Sequence, residues 1–205
     1  MKKWIAGLII LMLAVPAMAQ FAGLPIAGGA AASDAGQIGV SAGGVFGDDF
    51  KLYGIRGSYA VIQGLDVFLG LGAIDPDEGA DTGITGQLGA EFTLPTDLPV
   101  DLAVRGTIAR ASFDLDVGGD VTALTLNGGM LVSKTIEQLT PYGFVGFNYT
   151  DTEVKVDGFG SVSDDETDFA IAIGLEFAVS DQVSLYAEIE NVDDTFFALG
   201  GRWQF

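Results

Sequence analysis

Two residue types are missing from this chain, cysteine and histidine. Without cysteine, no disulfide braces the fold and no thiolate is available for catalysis or metal binding. Without histidine, the side chain best poised for proton transfer near neutral pH is gone. Chemistry that pairs a nucleophile with an imidazole is therefore excluded. A pair of carboxylates can still cleave glycosidic bonds, but acids this abundant fall into pairs by chance. The expectation is no enzyme and no cofactor. Basic residues are scarce: 9 Lys and Arg stand against 28 Asp and Glu, for a net charge of −19. That balance argues against nucleic acid or anionic headgroups as partners for the whole surface. Yet 49% of the residues are hydrophobic, which excludes disorder driven by charge.

The only long apolar run stands at the start. Met1, Lys2 and Lys3 form a basic lead, residues 4–15 are apolar, and Ala17-Met18-Ala19 follows. These are the three regions of a secretory signal cut after Ala19, and the run is short for a bilayer-spanning helix. Losing Lys2 and Lys3 leaves 7 basic residues against 28 acidic ones. Residues 20–35, which include Gly28-Gly29-Ala30-Ala31-Ala32-Ser33, read as a flexible lead-in. Residues 36–205 then form one domain.

Without helix-length runs, the apolar residues must be distributed in another way, and they alternate. Over 168–180 one face reads Phe169, Ile171, Ile173, Leu175, Phe177, Val179, and the other Ala170, Ala172, Gly174, Glu176, Ala178. Period two is the strand signal, because successive side chains point to opposite faces. Similar segments fall near 36–46, 50–61, 64–74, 83–94, 99–114, 120–133, 139–156, 183–190 and 195–205, which makes ten. In 99–114 the phase slips near Arg110, the mark of a bulge or of the membrane rim. Short or Pro-marked breaks at 62–64, 95–99, 135–139 and 180–182 alternate with acidic, Gly-rich ones at 47–49, 75–82, 114–120, 157–167 and 193–194.

This pattern predicts an all-β, antiparallel, up-and-down transmembrane barrel with compact turns at one end and longer polar loops at the other. Ten strands are favoured, and eight result if the two N-terminal segments stay outside the wall. A soluble sandwich also alternates, but it wears its charges on its sheets. Here most acids fall in the breaks, and segments of about ten residues match a tilted bilayer crossing.

The ending Gly200-Gly201-Arg202-Trp203-Gln204-Phe205 and the run Thr140-Pro141-Tyr142-Gly143-Phe144 resemble small outer-membrane β-barrel proteins of the OmpA/OmpX-like, porin-like type. The resemblance implies that Leu199, Trp203 and Phe205 form the terminal signal read by the barrel-assembly machinery. The expected setting is the bacterial outer membrane, with lipid and lipopolysaccharide around the barrel, the oligomeric state unassigned and a monomer favoured. Ten segments exceed the eight strands usual in that group, and no peptidoglycan-binding domain follows.

With the apolar faces toward lipid, the inward set holds Arg56, Asp66, Gln87, Glu91, Asp101, Arg105, Glu176, Glu188, Glu190 and Arg202. Charges in a narrow lumen need partners, because unpaired burial is costly. A hairpin centred near Asp97 sets Arg105 opposite Gly89 and diagonal to Gln87 and Glu91, while Arg202 falls near Tyr186 and Glu176. Two outcomes follow: a salt-bridged core that fills a small barrel, which is favoured, or a narrow cation-favouring pore. Ser163-Asp164-Asp165-Glu166 and Asp75-Pro76-Asp77-Glu78 cluster oxygen ligands but lack the spacing of a strong calcium loop, and they read as solvated loops. The expected role is structural or limited porin-like passage of cations or small solutes. Adhesion through the external loops is the alternative.

Overall fold

The computed structural model describes residues 24–48, 50–76, 80–116 and 118–205. The segment assigned to the signal, 1–19, lies outside the described residues. Ten strands follow one another: β1 Ile38–Phe46, β2 Phe50–Ile62, β3 Leu65–Pro76, β4 Gly83–Leu94, β5 Asp101–Asp114, β6 Gly119–Ser133, β7 Leu139–Val156, β8 Gly160–Ala178, β9 Val183–Val192 and β10 Asp194–Gln204. Each pairs antiparallel with its sequence neighbours. The barrel closes where β1 meets β10, from Gly39↔Gln204 to Phe46↔Phe197. Both N-terminal segments are in the wall, so the strand number is ten, not eight.

Strand β9 shows why this sequence closes into such a barrel. Leu185 and Ile189 are 53% and 51% exposed, whereas Glu188 and Glu190 are each 3% exposed. Apolar side chains outside and carboxylates inside invert the arrangement of a soluble sandwich. The same outward belt carries Leu71, Phe169, Ile173 and Trp203. Closure removes the sheet edges that would leave backbone groups unpaired in lipid. The end holding the described N-terminal entry to β1 and the C-terminus is the periplasmic one, because an even number of strands returns the chain to the side it starts from. There Gly64 takes φ 76° between β2 and β3, a left-handed turn conformation that glycine adopts without strain.

Several expectations from the sequence need correction. The external connections are not longer than the periplasmic turns; the difference is in strand height instead, with 18 and 19 residues in β7 and β8 against 9 in β1. Most of the acidic stretch 157–167 is strand, paired from Val156↔Gly160 onward. Above the membrane both faces of a strand meet water, so pairing there leaves no apolar alternation to read. Of the two readings at Arg110 the bulge fails and the rim holds, since β5 pairs without interruption with β4 and β6. Outward positions pass from Ile108 to Arg110 and Ser112 as the strand leaves lipid, while inward Ala109, Ala111 and Phe113 stay buried. The irregular pairing lies instead between Ala60 and Ile62 of β2.

The lead-in differs most from expectation. From Leu24 onward it runs inside the barrel, with Leu24 at 7%, Ala27 at 2% and Ala30 at 0% exposure. It meets the wall at the periplasmic end, where Gly36 N–H bonds Ala60 O. Residues 24–32 carry no charged side chain, and so they fit a lumen better than they fit water.

Candidate functional site

The lumen is divided by level. Its extracellular half is filled by inward apolar side chains from six strands. Val45, Phe50, Leu52, Ile74, Phe113, Val121 and Phe196 form one buried cluster that Leu24 joins from below. The Phe50 and Phe196 rings lie 5.3 Å apart at their centroids. No charged side chain belongs to this cluster, and an apolar constriction of this kind excludes ions by refusing them hydration. Wall glycines make room for Leu24: a Cβ on Gly54 would stand 2.5 Å from Leu24 Cδ2, and one on Gly70 2.8 Å from Cδ1.

The periplasmic half is polar, and the N-terminal segment is bound there through its backbone. Arg56, on β2, donates to the carbonyls of Leu24 (2.8 Å), Pro25 and Ile26 (3.0 Å) and to Gln87 Oε1 at 2.9 Å. Glu188, on β9, accepts from Ile26 N–H at 3.1 Å, Ala27 N–H at 3.3 Å and the Tyr142 hydroxyl at 2.7 Å. Further along, Ala30 N–H donates to Ser133 Oγ at 2.8 Å, and Thr93 Oγ1 donates to Ala30 O at 3.0 Å. Arg202 donates to Ala27 O. An irregular backbone has no ladder of its own, so these side chains supply the partners that burial demands.

Every residue expected in the lumen does face inward, but they are not one network. Arg105 pairs with Glu91 at 3.2 Å, and its guanidinium lies 4.4 Å from the Phe68 ring centroid. Arg202 pairs with Glu176 at 3.7 Å, and the Ser184 hydroxyl also donates to Glu176. Asp66 lies near the mouth, where it and Ser33 both line the periplasmic recess. Asp101 sits at the rim opposite Ser133, with no ion pair to the others among the described residues. Glu190 is buried behind Glu188, and its Oε1 has no hydrogen-bond partner among the described residues.

The registers place these pairs two residues from the expected alignment. Arg105 stands opposite Glu91, and Arg202 opposite Ser184. The β4–β5 hairpin is therefore centred on Leu98, not Asp97. Counting between prolines misses this, because register follows the paired strands rather than the turn's composition. Sequence reasoning also missed Tyr142, Ser133, Thr93 and Phe68. Their partners are the N-terminal segment, which crosses the lumen as a strap, and charges on other strands, and no spacing along the chain announces either.

Below the apolar cluster a cavity of about 520 Å³ opens toward the periplasm, with Arg56, Asp66, Glu91, Arg105, Glu176 and Arg202 in its wall. Among the described residues no group of three or more Asp or Glu side chains converges as a metal cluster would require.

A family model described as the outer membrane protein beta-barrel domain matches residues 6–201. Solved structures with a similar fold include the translocator domain of the autotransporter NalP from Neisseria meningitidis. It is 12% identical, with 84% of this chain and 90% of that one covered at a TM-score of 0.51. The N-terminal β-barrel domain of Pseudomonas aeruginosa OprF is 12% identical over 84% of this chain and 100% of that one, TM-score 0.42. Ail, the attachment invasion locus protein of Yersinia pestis, is 20% identical over 85% and 99%, TM-score 0.42. Identities this low show a shared fold alone. No curated protein matches the chain.

Proposed function

The chain belongs to the outer membrane protein β-barrel domain family, and from that premise we propose that it is a structural barrel of the bacterial outer membrane with a closed lumen. The observation that carries this reading is the double filling of the bore. Apolar wall side chains occupy the extracellular half, and a strap held by Arg56 and Glu188 occupies the periplasmic half. A small barrel filled in this way leaves no continuous aqueous path. Porin-like passage, if present, is limited to excursions in which both fillings move. Recording from the refolded barrel in a planar bilayer tests the reading. It expects no stable unitary steps, and reproducible cation-selective steps would overturn it. Export through a signal cut after Ala19 belongs to the same proposal, and the N-terminal residue of the protein isolated from membranes tests it.

The reading assigns no catalysis. The chain has no histidine, and Glu91, Glu176 and Glu188 are all engaged in holding the interior. No lipopolysaccharide-binding or oligomer interface is needed either, and a monomer surrounded by lipid satisfies the outward belt.

One observation favours adhesion as a second role. Strand β9 covers β8 only up to the pair Ile171↔Asn191, whereas β7 continues alongside β8 to Gly160. The upper part of β8 is therefore an uncovered strand edge raised above the barrel, of the sort that accepts a further strand. Trimming the hairpin tip and measuring attachment of cells that display the barrel tests this role. Unchanged attachment would remove it.

A further inference from the structure

We infer that the periplasmic half of the lumen is a peptide-binding site. Arg56, Glu188, Ser133 and Thr93 recognise the backbone of an extended, uncharged peptide of small residues, and the strap is the occupant carried in cis. The inference rests on the closed-lumen reading and goes beyond it, because such a site accepts an equivalent peptide from the periplasm whenever the strap is out.

The strap itself shows the chemistry of the ligand. Ile26 is gripped from two sides, its N–H donating to Glu188 at 3.1 Å and its carbonyl accepting from Arg56 at 3.0 Å. The neighbouring Leu24 carbonyl and Ala27 N–H go to the same two side chains, and Ser133 and Thr93 take the N–H and carbonyl of Ala30. All these bonds end on main-chain atoms, so any extended segment can make them, and side-chain space then decides which segments fit. A Cβ on Gly29 would stand 2.8 Å from both Ser133 Oγ and Thr140 Cγ2. Those are short side chains fixed to the wall, with little room to give way. Position 29 is therefore a filter for small residues, while Leu24 fills the apolar pocket above.

The wall is also arranged so that the occupant can leave. Arg105 pairs with Glu91 and Arg202 with Glu176, wall to wall, and the strap brings no charge of its own. Among the described residues Arg56 and Glu188 form no ion pair. They hold opposite sides of Ile26 instead, and its departure leaves them free to pair with each other. Release of the strap therefore strands no buried charge, which is the costly outcome in a lumen. Access exists as well: Ile26, Gly28, Gly29 and Ala31 line the recess that opens toward the periplasm. A tethered strap competes at an effective concentration on the order of millimolar, so the intact barrel resists a peptide in trans until its own strap is weakened.

The test uses the full barrel and its Gly29→Leu variant, refolded in detergent, and a capped fluorescent peptide with the sequence of residues 24–33. Hydrogen exchange at the Ile26 and Ala27 amides should accelerate in Gly29→Leu, since the larger side chain expels the strap. Unchanged protection would overturn the small-residue filter and the site with it. By fluorescence anisotropy the peptide should bind Gly29→Leu saturably and the parent at least tenfold more weakly. Peptides carrying Gly29→Leu, or a methyl group on the Ile26 nitrogen that Glu188 reads, should lose tenfold or more. No saturable binding to the variant, or equal binding of all three peptides, would overturn the site. If Gly29→Leu does not refold, the parent is refolded from urea with excess peptide. Peptide retained by the purified barrel then supports the site, and none retained overturns it. Conductance of the parent bears on the closure alone, so the two readings fail separately.

Discussion

The two halves of the lumen close the same barrel by opposite means. In the extracellular half, Phe50, Leu52, Ile74 and Phe196 come from the wall itself and fill space by contact. In the periplasmic half the wall is lined with charges, and the filling is a separate strap bonded through its backbone to Arg56, Glu188, Ser133 and Thr93. Apolar contact is tolerant of direction and proportional to area, so the upper closure needs only residues of sufficient size. The lower closure depends on particular donors and acceptors, and each lost partner leaves a buried group unsatisfied. One half is closed by volume and the other by specificity.

Truncating the upper closure should cost most. Phe50→Ala, at a side chain 1% exposed, should lower stability by about 3–5 kcal/mol, read from urea unfolding in lipid vesicles. A loss below about 1 kcal/mol would mean that this half is not close-packed. Arg56→Ala should follow at about 3 kcal/mol, because it strands buried carbonyls. It should also speed hydrogen exchange at the Ile26 and Ala27 amides, which the upper-half variant should leave protected. If Phe50→Ala frees those amides equally, the halves are not independent.

Within the lower half depth should matter. Arg105→Ala, at a guanidinium pair with 5% and 15% exposed partners, should cost about 2 kcal/mol, the scale of a charged hydrogen bond. Arg202→Ala, at 23% exposure, should cost about 1 kcal/mol. Equal losses would erase the gradient from mouth to centre. Lys155 pairs with Asp120 and Glu153 through half-exposed side chains near the outer end of β6 and β7, and Lys155→Met should leave the unfolding midpoint unchanged.

The barrel wall was legible because lipid imposes one rule on every strand. Leu185, Ala187 and Ile189 outside against Ser184, Tyr186, Glu188 and Glu190 inside repeat that rule at period two. It fails only where lipid ends. At Arg110 and over 157–167 the outward face turns polar, and the alternation that had marked strands disappears although the pairing continues. The inward charges were legible for the same reason, as the residues left over when the apolar face is assigned to the membrane. Their partners were less legible, since a two-residue change of register moves Arg105 from Gly89 to Glu91.

The strap was misread because its composition admits two environments. Residues 24–33 are rich in Ala and Gly, which suits a flexible linker and equally suits a narrow bore. Nothing local distinguishes the two, because the bonds that hold the strap come from β2, β4, β6, β9 and β10. The period of the apolar residues, set against the bilayer, pointed to a barrel of ten strands with eight left open, and to the direction of the side chains within the membrane. Only closure of the sheet brought Arg56, Glu188 and Ser133 around one segment and left Glu190 facing its own cavity, because those contacts depend on strand register and on distance across the bore.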